Sequence, residues 1–209
     1  MSLDITMLPL GPLQTNCYVL RNGGQCWVID PGMWPEPLVE LLRREDAAPT
    51  AVLLTHGHGD HVGGVDALRK AFPDVKVICP AADAAMLGDA QLNLSAPFGM
   101  AVTAGAADAT VEPGAELQLG QTRWAVLDTS GHTPGGVSYY CAEEGVLVTG
   151  DALFASSIGR TDIPGGDGQR LVRNLREHLL TLPDETRVLP GHGDETTIGR
   201  ERKLNPFLR

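Results

Sequence analysis

Basic residues are scarce in this sequence, and the shortage limits the partners that the protein can bind. The 209-residue chain has 16 lysines and arginines against 26 aspartates and glutamates, which gives a formal net charge of −10. A nucleic acid requires a basic surface, so we expect no nucleic acid among the partners. The composition is otherwise that of a folded domain, with 43% apolar and 20% charged residues, and a disordered chain is excluded.

Long hydrophobic runs and paired cysteines are also missing. No apolar run approaches the roughly 20 residues that cross a bilayer, and the first residues do not join a basic segment to an apolar one, as a secretory signal does. We therefore expect neither a membrane partner nor secretion. The four cysteines form no C-x-x-C motif and lie in or beside strand-like runs (Cys17, Cys26, Cys79 and Cys141). This pattern predicts buried free thiols in a cytoplasmic protein.

Short apolar runs alternate with helical patterns along most of the chain. Strands are predicted at residues 4–10, 16–21, 26–30, 51–55, 75–80, 122–128, 137–141, 145–150 and 187–190, and helices at 34–46, 60–72 and 167–182. Strand followed by helix is typical of an α/β fold. The pattern weakens over residues 81–114, where 80–89 are a candidate helix and 93–114 are rich in Gly, Ala and Pro. Such a long irregular stretch indicates either a functional loop or an irregular connection. No repeat or linker divides the chain, so we expect one domain over residues 1–209.

The segment THGHGDHVGG (residues 55–64) contains three of the six histidines, with glycine as the main filler. Glycine fills no core, and clustered imidazoles are costly to bury without partners, so packing does not explain the pattern. A metal ion does explain it, because imidazole and carboxylate are common metal ligands. His56, His58, Asp60 and His61 are therefore candidate ligands.

Three further candidates follow predicted strands in distant parts of the sequence. They are His132, Asp151 and His192. Loops that leave strand ends are where α/β folds assemble a site from separate segments. With the motif, these residues make five histidines and two aspartates, which are too many ligands for one tetrahedral ion but suit two ions that share a carboxylate. The donor set suits zinc, iron or manganese, and zinc is the first expectation.

The T-H-x-H-x-D-H pattern at residues 55–61, followed in order by His132, Asp151 and His192, resembles the signature of the metallo-β-lactamase fold. The segments GDALFASSIGRTDIPGGD (150–167) and PGHGDETTIGRERKLNPFL (190–208) are similar to those of the small glyoxalase II-like branch, the hydroxyacylglutathione hydrolases. The resemblance covers nearly the whole chain. It implies a four-layer αββα sandwich in a single α/β domain.

The resemblance also implies a role for each ligand. The first metal ion would be bound by His56, His58 and His132, the second by Asp60, His61 and His192, and both by Asp151. Asp60 and Asp151 are the expected catalytic residues, since Asp60 would orient the attacking water and Asp151 would hold the two ions together. Asp30 is expected to hold a turn or to orient a ligand. His178 lies on a leucine-lined helix and is expected to bind no metal.

The implied reaction is metal-assisted hydrolysis of an acyl thioester, with S-D-lactoylglutathione or a related hydroxyacylglutathione as substrate. A hydroxide that bridges two divalent metal ions would attack the carbonyl. A serine nucleophile is then unnecessary, and the sequence has no G-x-S-x-G motif. A thiol with a pKa of about 8.5 leaves as thiolate with little help from a general acid. The expected partner is therefore a small-molecule thioester.

Four cations are candidate contacts for an anionic substrate. Arg160 lies in a G-R-T-D stretch, where full-length glyoxalase II enzymes have a Lys-x-Tyr pair, and the tyrosine is missing here. The others are Arg200, Arg202 and Lys203, which equally fit a solvated, charged C-terminal segment. Residues 91–104 either line the substrate entrance or form a plain connection.

The sequence leaves three other functions open. Persulfide dioxygenases share the fold, the histidine motif and a similar G-R-T-D stretch, and their single iron would use His56, His132 and Asp151 to oxidise glutathione persulfide. A nuclease of the tRNA-processing type has the same histidine motif, but the net charge of −10 argues against it. The third alternative is a metal-binding protein without catalysis.

Overall fold

Two six-stranded β-sheets form the centre of the structure, a computed structural model that describes residues 2–209. The first sheet contains, in spatial order, β1 (Asp4–Leu10), β2 (Thr15–Asn22), β3 (Gln25–Ile29), β4 (Ala51–Leu53), β5 (Lys76–Pro80) and β6 (Ala109–Val111). The second begins with β7 (Glu116–Leu119), β8 (Thr122–Asp128), β9 (Val137–Cys141) and β10 (Val146–Gly150). A separate hairpin follows, formed by β11 (Leu153–Phe154) and β12 (Ser157–Ile158), before β13 (Arg187–Pro190) and β14 (Thr196–Thr197) extend the second sheet beyond β10.

Strand direction brings several strand ends to the same edge of each sheet. In the first sheet, β3, β4 and β5 are parallel. In the second, β10 and β13 are parallel, and β8 runs the same way because both β8 and β10 pair antiparallel with β9. The carboxyl ends of these strands are the positions where loops assemble a site.

Strand residues alternate between two apolar layers. In β2, Tyr18 and Leu20 point between the sheets, whereas Cys17 points to the outer face. The layer between the sheets also contains Trp27 and Trp124, whose ring centroids are 6.2 Å apart. Complete burial of a large apolar side chain stabilises a fold by about 1.5–3 kcal/mol, so this layer holds the two sheets together.

Helices cover the outer face of each sheet. The first sheet is covered by α1 (Glu36–Arg44), α2 (Gly59–Val62) and α3 (Val65–Ala71), and the second by α4 (Gly168–Asn174) and α5 (Ile198–Leu204). Leu38 and Leu68 are fully buried on one side, as are Leu171 and Ile198 on the other. The predicted four-layer αββα sandwich is therefore confirmed. Within residues 2–209, no helix has the length and apolarity needed to cross a membrane.

The structure divides two of the predicted helices. Residues 60–72 form α2 and α3 instead of one helix, with Gly63 and Gly64 between them. The chain passes so close to a neighbouring loop here that a β-carbon on Gly64 would lie 2.8 Å from the carbonyl oxygen of Gly32. The helix predicted at 167–182 changes after α4 into a π-helical turn, Leu175–Leu179.

The predicted strands match most closely where turn residues flank them. β1, β8, β9 and β13 have the predicted bounds. The short strands β6, β7 and β14 and the charged helix α5 were not predicted, because each contains too few apolar residues to show a period. Part of the irregular region forms a 3₁₀-helix, Ala81–Gly88.

Candidate metal centre

Loops from both sheets carry polar side chains to one edge of the sandwich. Asp30 follows β3, and the histidine motif follows β4. In the second sheet, His132 follows β8, Asp151 follows β10 and His192 follows β13. The structure brings all seven predicted ligands together at this edge.

Three histidines form a first cluster. His56 Nε2 lies 3.1 Å from His58 Nδ1, and His132 Nε2 lies 2.9 Å from the same atom. Ring nitrogens of all three residues therefore converge on one point, which is the arrangement of ligands around a metal ion. The three side chains are buried.

A second cluster consists of Asp60, His61 and His192. Asp60 Oδ2 lies 3.5 Å from His61 Nε2 and 3.2 Å from His192 Nε2. The side chain of Asp60 also accepts a hydrogen bond from Thr15 Oγ1 at 3.0 Å. One carboxylate oxygen and two imidazole nitrogens thus face a common point.

Asp151 lies between the two clusters. Its Oδ2 is 3.6 Å from His132 Nε2, in the first cluster, and 3.5 Å from His192 Nε2, in the second. Its Oδ1 is 3.4 Å from His61 Nε2. A carboxylate in this position can bind two cations at once, which is the role implied for it by the sequence.

Hydrogen bonds outside the clusters select the tautomer of four histidines. His61 Nδ1 donates to Asp30 Oδ2 at 2.9 Å, His132 Nδ1 to the Arg160 carbonyl at 2.8 Å and His192 Nδ1 to the Leu13 carbonyl at 3.0 Å. Thr55 Oγ1 donates to Asp30 Oδ2 at 2.6 Å, so its oxygen is left to accept from His56 Nδ1 at 3.0 Å. With the proton on Nδ1, each of these rings has a free electron pair on Nε2, the atom that faces the clusters.

Asp30 supports both clusters. It orients His61 directly and His56 through Thr55. Its Oδ1 also accepts from the Thr55 backbone N–H at 2.8 Å, which holds the turn after β4. Both roles expected for Asp30 from the sequence are present.

Burial favours neutral imidazoles in the first cluster. Burial and the neighbouring histidines lower the pKa of His56 far below its usual value. The same two effects, with His132 as the main neighbour, lower the pKa of His58 to about 3. Neutral imidazole is the form that binds a metal ion, so both rings are competent to bind over a wide pH range.

Opposite charges dominate the second cluster. Burial opposes ionisation of Asp60 and Asp151, but His61 and His192 outweigh it and lower the pKa of both carboxyls. Burial likewise opposes protonation of the two histidines, but the carboxylates raise the pKa of His61 and of His192. A metal cation that replaced the ring protons would keep this attraction.

Two buried polar atoms indicate that the residues fit a metal ion. Among residues 2–209, His61 Nε2 and Asp151 Oδ1 have no hydrogen-bond partner. Such atoms are costly to bury alone, and a cation between the clusters would bind both. The atoms available to bind a metal ion are imidazole nitrogens and carboxylate oxygens. The four cysteines are buried and free within the apolar layers, so no thiolate belongs to this set. This donor set suits divalent zinc, iron or manganese.

A cleft of about 310 Å³ opens over the ligands. Its lining includes Leu13, Asn93, Leu94, Ser95, Phe98, Met100, Arg160 and Ile163, opposite His58, Asp60, His132, Asp151 and His192. Residues within the segment 91–104 therefore supply one wall of the cleft, which agrees with the first of the two interpretations left open by the sequence. Phe98 is 65% exposed at this wall.

The predicted substrate cations occupy two different places. Arg160 lines the cleft, where its Nε and Nη2 pair with the two oxygens of Asp162 at 2.9 and 3.0 Å. Arg200, Arg202 and Lys203 lie on α5 and do not line the cleft.

The three α5 cations pair with groups of their own layer. Arg200 pairs with Glu201 at 2.7 Å, and Lys203 with Asp184 at 3.3 Å. Arg202 pairs with Asp184 and donates to the carbonyl of Leu180. These contacts correspond to the alternative interpretation, a charged C-terminal segment.

Two supporting residues are absent from the sequence predictions. Thr15 binds Asp60, and the buried Asp83 binds the loops of the first cluster. Asp83 is a lone carboxylate among alanines and apolar residues, and this isolation is the sequence feature that could have marked it as a buried supporting residue. His178 is half-buried on the π-helical turn and is absent from the histidine clusters found within residues 2–209.

The fold and the paired clusters define a class of protein. The sequence profile of the Metallo-beta-lactamase superfamily matches residues 10–192. The chain belongs to this superfamily, and it is a metal-dependent hydrolase.

Relatives of known sequence cover almost the whole chain. The probable metallo-hydrolase YqgX of Bacillus subtilis is 41% identical over 202 residues, which are 96% of this chain and 95% of that protein. The hydroxyacylglutathione hydrolase GloC of Haemophilus influenzae is 34% identical over 209 residues, 99% of this chain and 98% of that protein.

Solved structures are similar over the same length. The B3 metallo-beta-lactamase BLEG-1 has a TM-score of 0.93 and 44% identity, covering 98% of this chain and 99% of that one. TTHA1623, solved in a di-iron-bound form, has a TM-score of 0.87 and 39% identity, covering 97% and 100%. ETHE1 from Myxococcus xanthus has a TM-score of 0.80 and 30% identity, covering 97% and 83%.

Proposed function

We propose that this protein is a two-metal hydrolase of acyl thioesters, with S-D-lactoylglutathione or a related hydroxyacylglutathione as substrate. The observation that carries the proposal is the position of Asp151, whose carboxylate faces a three-histidine cluster on one side and the Asp60–His61–His192 cluster on the other. Among the relatives, the one named a hydroxyacylglutathione hydrolase is 34% identical over nearly its full length. That name supports the substrate class.

Each of the two clusters would hold one metal ion. His56, His58 and His132 would hold one ion, and Asp60, His61 and His192 the other, with Asp151 binding both. Two divalent ions held by these residues would supply an activated water and polarise a carbonyl. Asp60 is the cleft-facing carboxylate of the second cluster, so it would accept a hydrogen bond from the attacking water and orient it. The thiolate product needs no proton donor to leave.

The cleft suits a substrate with an apolar part and one anionic group. Leu94, Phe98, Met100 and Ile163 offer apolar surface. Among the lysines and arginines of residues 2–209, Arg160 alone lines the cleft, and it would bind a substrate carboxylate by leaving Asp162 or by sharing it. We propose zinc as the metal, and iron or manganese as substitutes, since TTHA1623 was solved with two iron ions. The buried thiols fit a reducing cytoplasm.

The test is release of thiol from S-D-lactoylglutathione by zinc-loaded protein. Asp60→Ala removes a ligand from the second cluster, so release should fall at least about 100-fold, which is the size of effect expected when a catalytic group is removed. His178→Ala is the matched control, since it removes a histidine that belongs to neither cluster. Release that is absent from the parent protein, or equal in the Asp60 variant, would overturn the proposal.

Persulfide oxidation is the second candidate function, because the histidine motif and the G-R-T-D stretch at residues 159–162 resemble those of persulfide dioxygenases. His56, His132 and Asp151 would then hold a single iron. An iron-loaded sample that consumes oxygen with glutathione persulfide, and releases no thiol from the thioester, would establish this alternative. Oxygen uptake should then survive His192→Ala, because His192 is outside that set of three ligands.

A further inference from the structure

Asp83 is a buried carboxylate that the proposed reaction does not use. Its exposed fraction is 0%, and it lies on the 3₁₀-helix that follows β5. A carboxylate in this position has to obtain its hydrogen bonds from the protein, since unpaired burial is costly.

All three hydrogen bonds to Asp83 come from the two loops that carry the first cluster. The backbone N–H of Gly57, inside the histidine motif, donates to Oδ2 at 3.0 Å. Just beyond His132, Thr133 Oγ1 donates to Oδ2 at 2.6 Å and the Gly135 N–H donates to Oδ1 at 2.7 Å. One carboxylate therefore joins loops that are about 75 residues apart in sequence.

Both loops pack directly against the Asp83 segment. A β-carbon on Gly135 would lie 2.8 Å from Asp83 Oδ1, and one on Gly57 would lie 3.1 Å from the Asp83 carbonyl oxygen. These close approaches place both loops directly against the segment that carries the Asp83 carboxylate.

The second cluster is supported by other residues. His61 donates to Asp30, His192 to the Leu13 carbonyl, and Asp60 accepts from Thr15. Asp83 forms none of these hydrogen bonds. Its contacts are with the loops that position His56, His58 and His132.

We propose that Asp83 is a positioning residue for the first metal site alone, and that it sets the affinity of that site. The inference rests on the two-site arrangement of the proposed function, and it does not depend on the identity of the substrate. Residues that orient metal ligands through hydrogen bonds typically change metal affinity by about 10- to 100-fold when they are replaced.

Asp83→Asn should weaken the first site by at least about 10-fold. An amide has one acceptor oxygen, whereas Asp83 uses both of its oxygens to accept backbone N–H groups. In either orientation of the amide, its NH2 group faces a backbone donor, either that of Gly57 or that of Gly135. One loop must then move away.

The experiment measures Zn²⁺ affinity by competition with a chromophoric chelator in two backgrounds. His192→Ala weakens the second site and leaves the first intact, whereas His132→Ala does the reverse. Asp83→Asn should weaken binding about 10-fold in the His192→Ala background and leave it unchanged in the His132→Ala background. An equal loss in both backgrounds, or no loss in either, overturns the proposal.

Two further variants separate positioning from general destabilisation. Glu201→Gln is the matched control, since Glu201 is also 0% exposed but binds Ser156, Thr196 and Asn205 on the far side of the second sheet. It should leave both zinc affinities unchanged. If Asp83→Asn does not fold, Thr133→Val removes one of the three hydrogen bonds and should still weaken the first site selectively, and an unchanged affinity overturns the proposal. Zinc affinity is measured without turnover, so a failure of thioester hydrolysis would not affect this result.

Discussion

Replacing Asp30 by asparagine should weaken zinc binding at the second site by about 10- to 100-fold. Asp30 accepts from the Thr55 N–H at 2.8 Å, from Thr55 Oγ1 at 2.6 Å and from His61 Nδ1 at 2.9 Å. These donors occupy both carboxylate oxygens. Asparagine has one acceptor oxygen, so the hydrogen bonds to one of the two carboxylate oxygens are lost in either orientation of the amide.

The size of the effect follows from the His61 tautomer. An NH2 group opposite His61 requires Nδ1 to accept, which moves the ring proton to Nε2, the atom that faces Asp60 and Asp151. Returning the proton to Nδ1 for metal binding sacrifices a hydrogen bond to a charged group, worth about 1.5–3 kcal/mol. At about 1.36 kcal/mol per tenfold change in an equilibrium constant, this loss weakens zinc binding by about 10- to 150-fold. The result agrees with the range expected when a residue that hydrogen-bonds to a metal ligand is replaced.

The assay is chelator competition for Zn²⁺ in the His132→Ala background, where the second site is measured alone. Asp74→Asn serves as the control, because Asp74 is exposed and the same change of chemistry there should leave zinc affinity unaltered. Circular dichroism establishes that the variant is folded. A folded Asp30→Asn protein with unchanged zinc affinity would refute the role assigned to the His61–Asp30 hydrogen bond.

Three further predictions follow from the same geometry. Free zinc at 100 times the dissociation constant should raise the free energy of unfolding by about 2.7 kcal/mol per site. Removing the metal with a chelator should therefore lower the melting temperature by about 5–10 °C per site; an unchanged calorimetric melting curve would contradict a resident metal. Gly191→Ala should lower zinc content and thiol release, because its β-carbon would collide with Asp151 Oδ1 and lie 2.8 Å from His61 Cε1, and full metal content by mass spectrometry would contradict this. Asp162→Asn should free Arg160 and lower the KM for a carboxylate-bearing thioester more than for a neutral one; equal KM changes would show that Arg160 does not bind the substrate.

Local patterns predicted many of the strands and singled out side chains that the fold brings to one edge. The bounds of β1, β8, β9 and β13 agree with the sequence because apolar alternation and flanking turn residues act over a few positions. The sequence singles out the seven candidate ligands because imidazoles and carboxylates at strand ends have no simple packing explanation.

Supporting residues and substrate contacts were harder to predict. Thr133 and Asp83 are 50 residues apart in sequence, yet they form one 2.6 Å hydrogen bond. Arg160 and Arg200 are similar cations in sequence, but one lines the cleft and the other lies on α5. No local period distinguishes them, since their surroundings come from different parts of the chain.

The sequence by itself determined the α/β character of this protein, its main strands and the side chains able to bind metal, because these depend on residue type and on spacing over a few positions. Only the tertiary structure shows that the seven candidate ligands lie together, in two clusters with Asp151 between them. It also decided which loop forms the cleft wall, and that Asp30 and Asp83 support the clusters in different ways. The physical reason is that hydrogen bonds and buried contacts depend on distances across the sheets, which the folded chain sets between residues far apart in sequence.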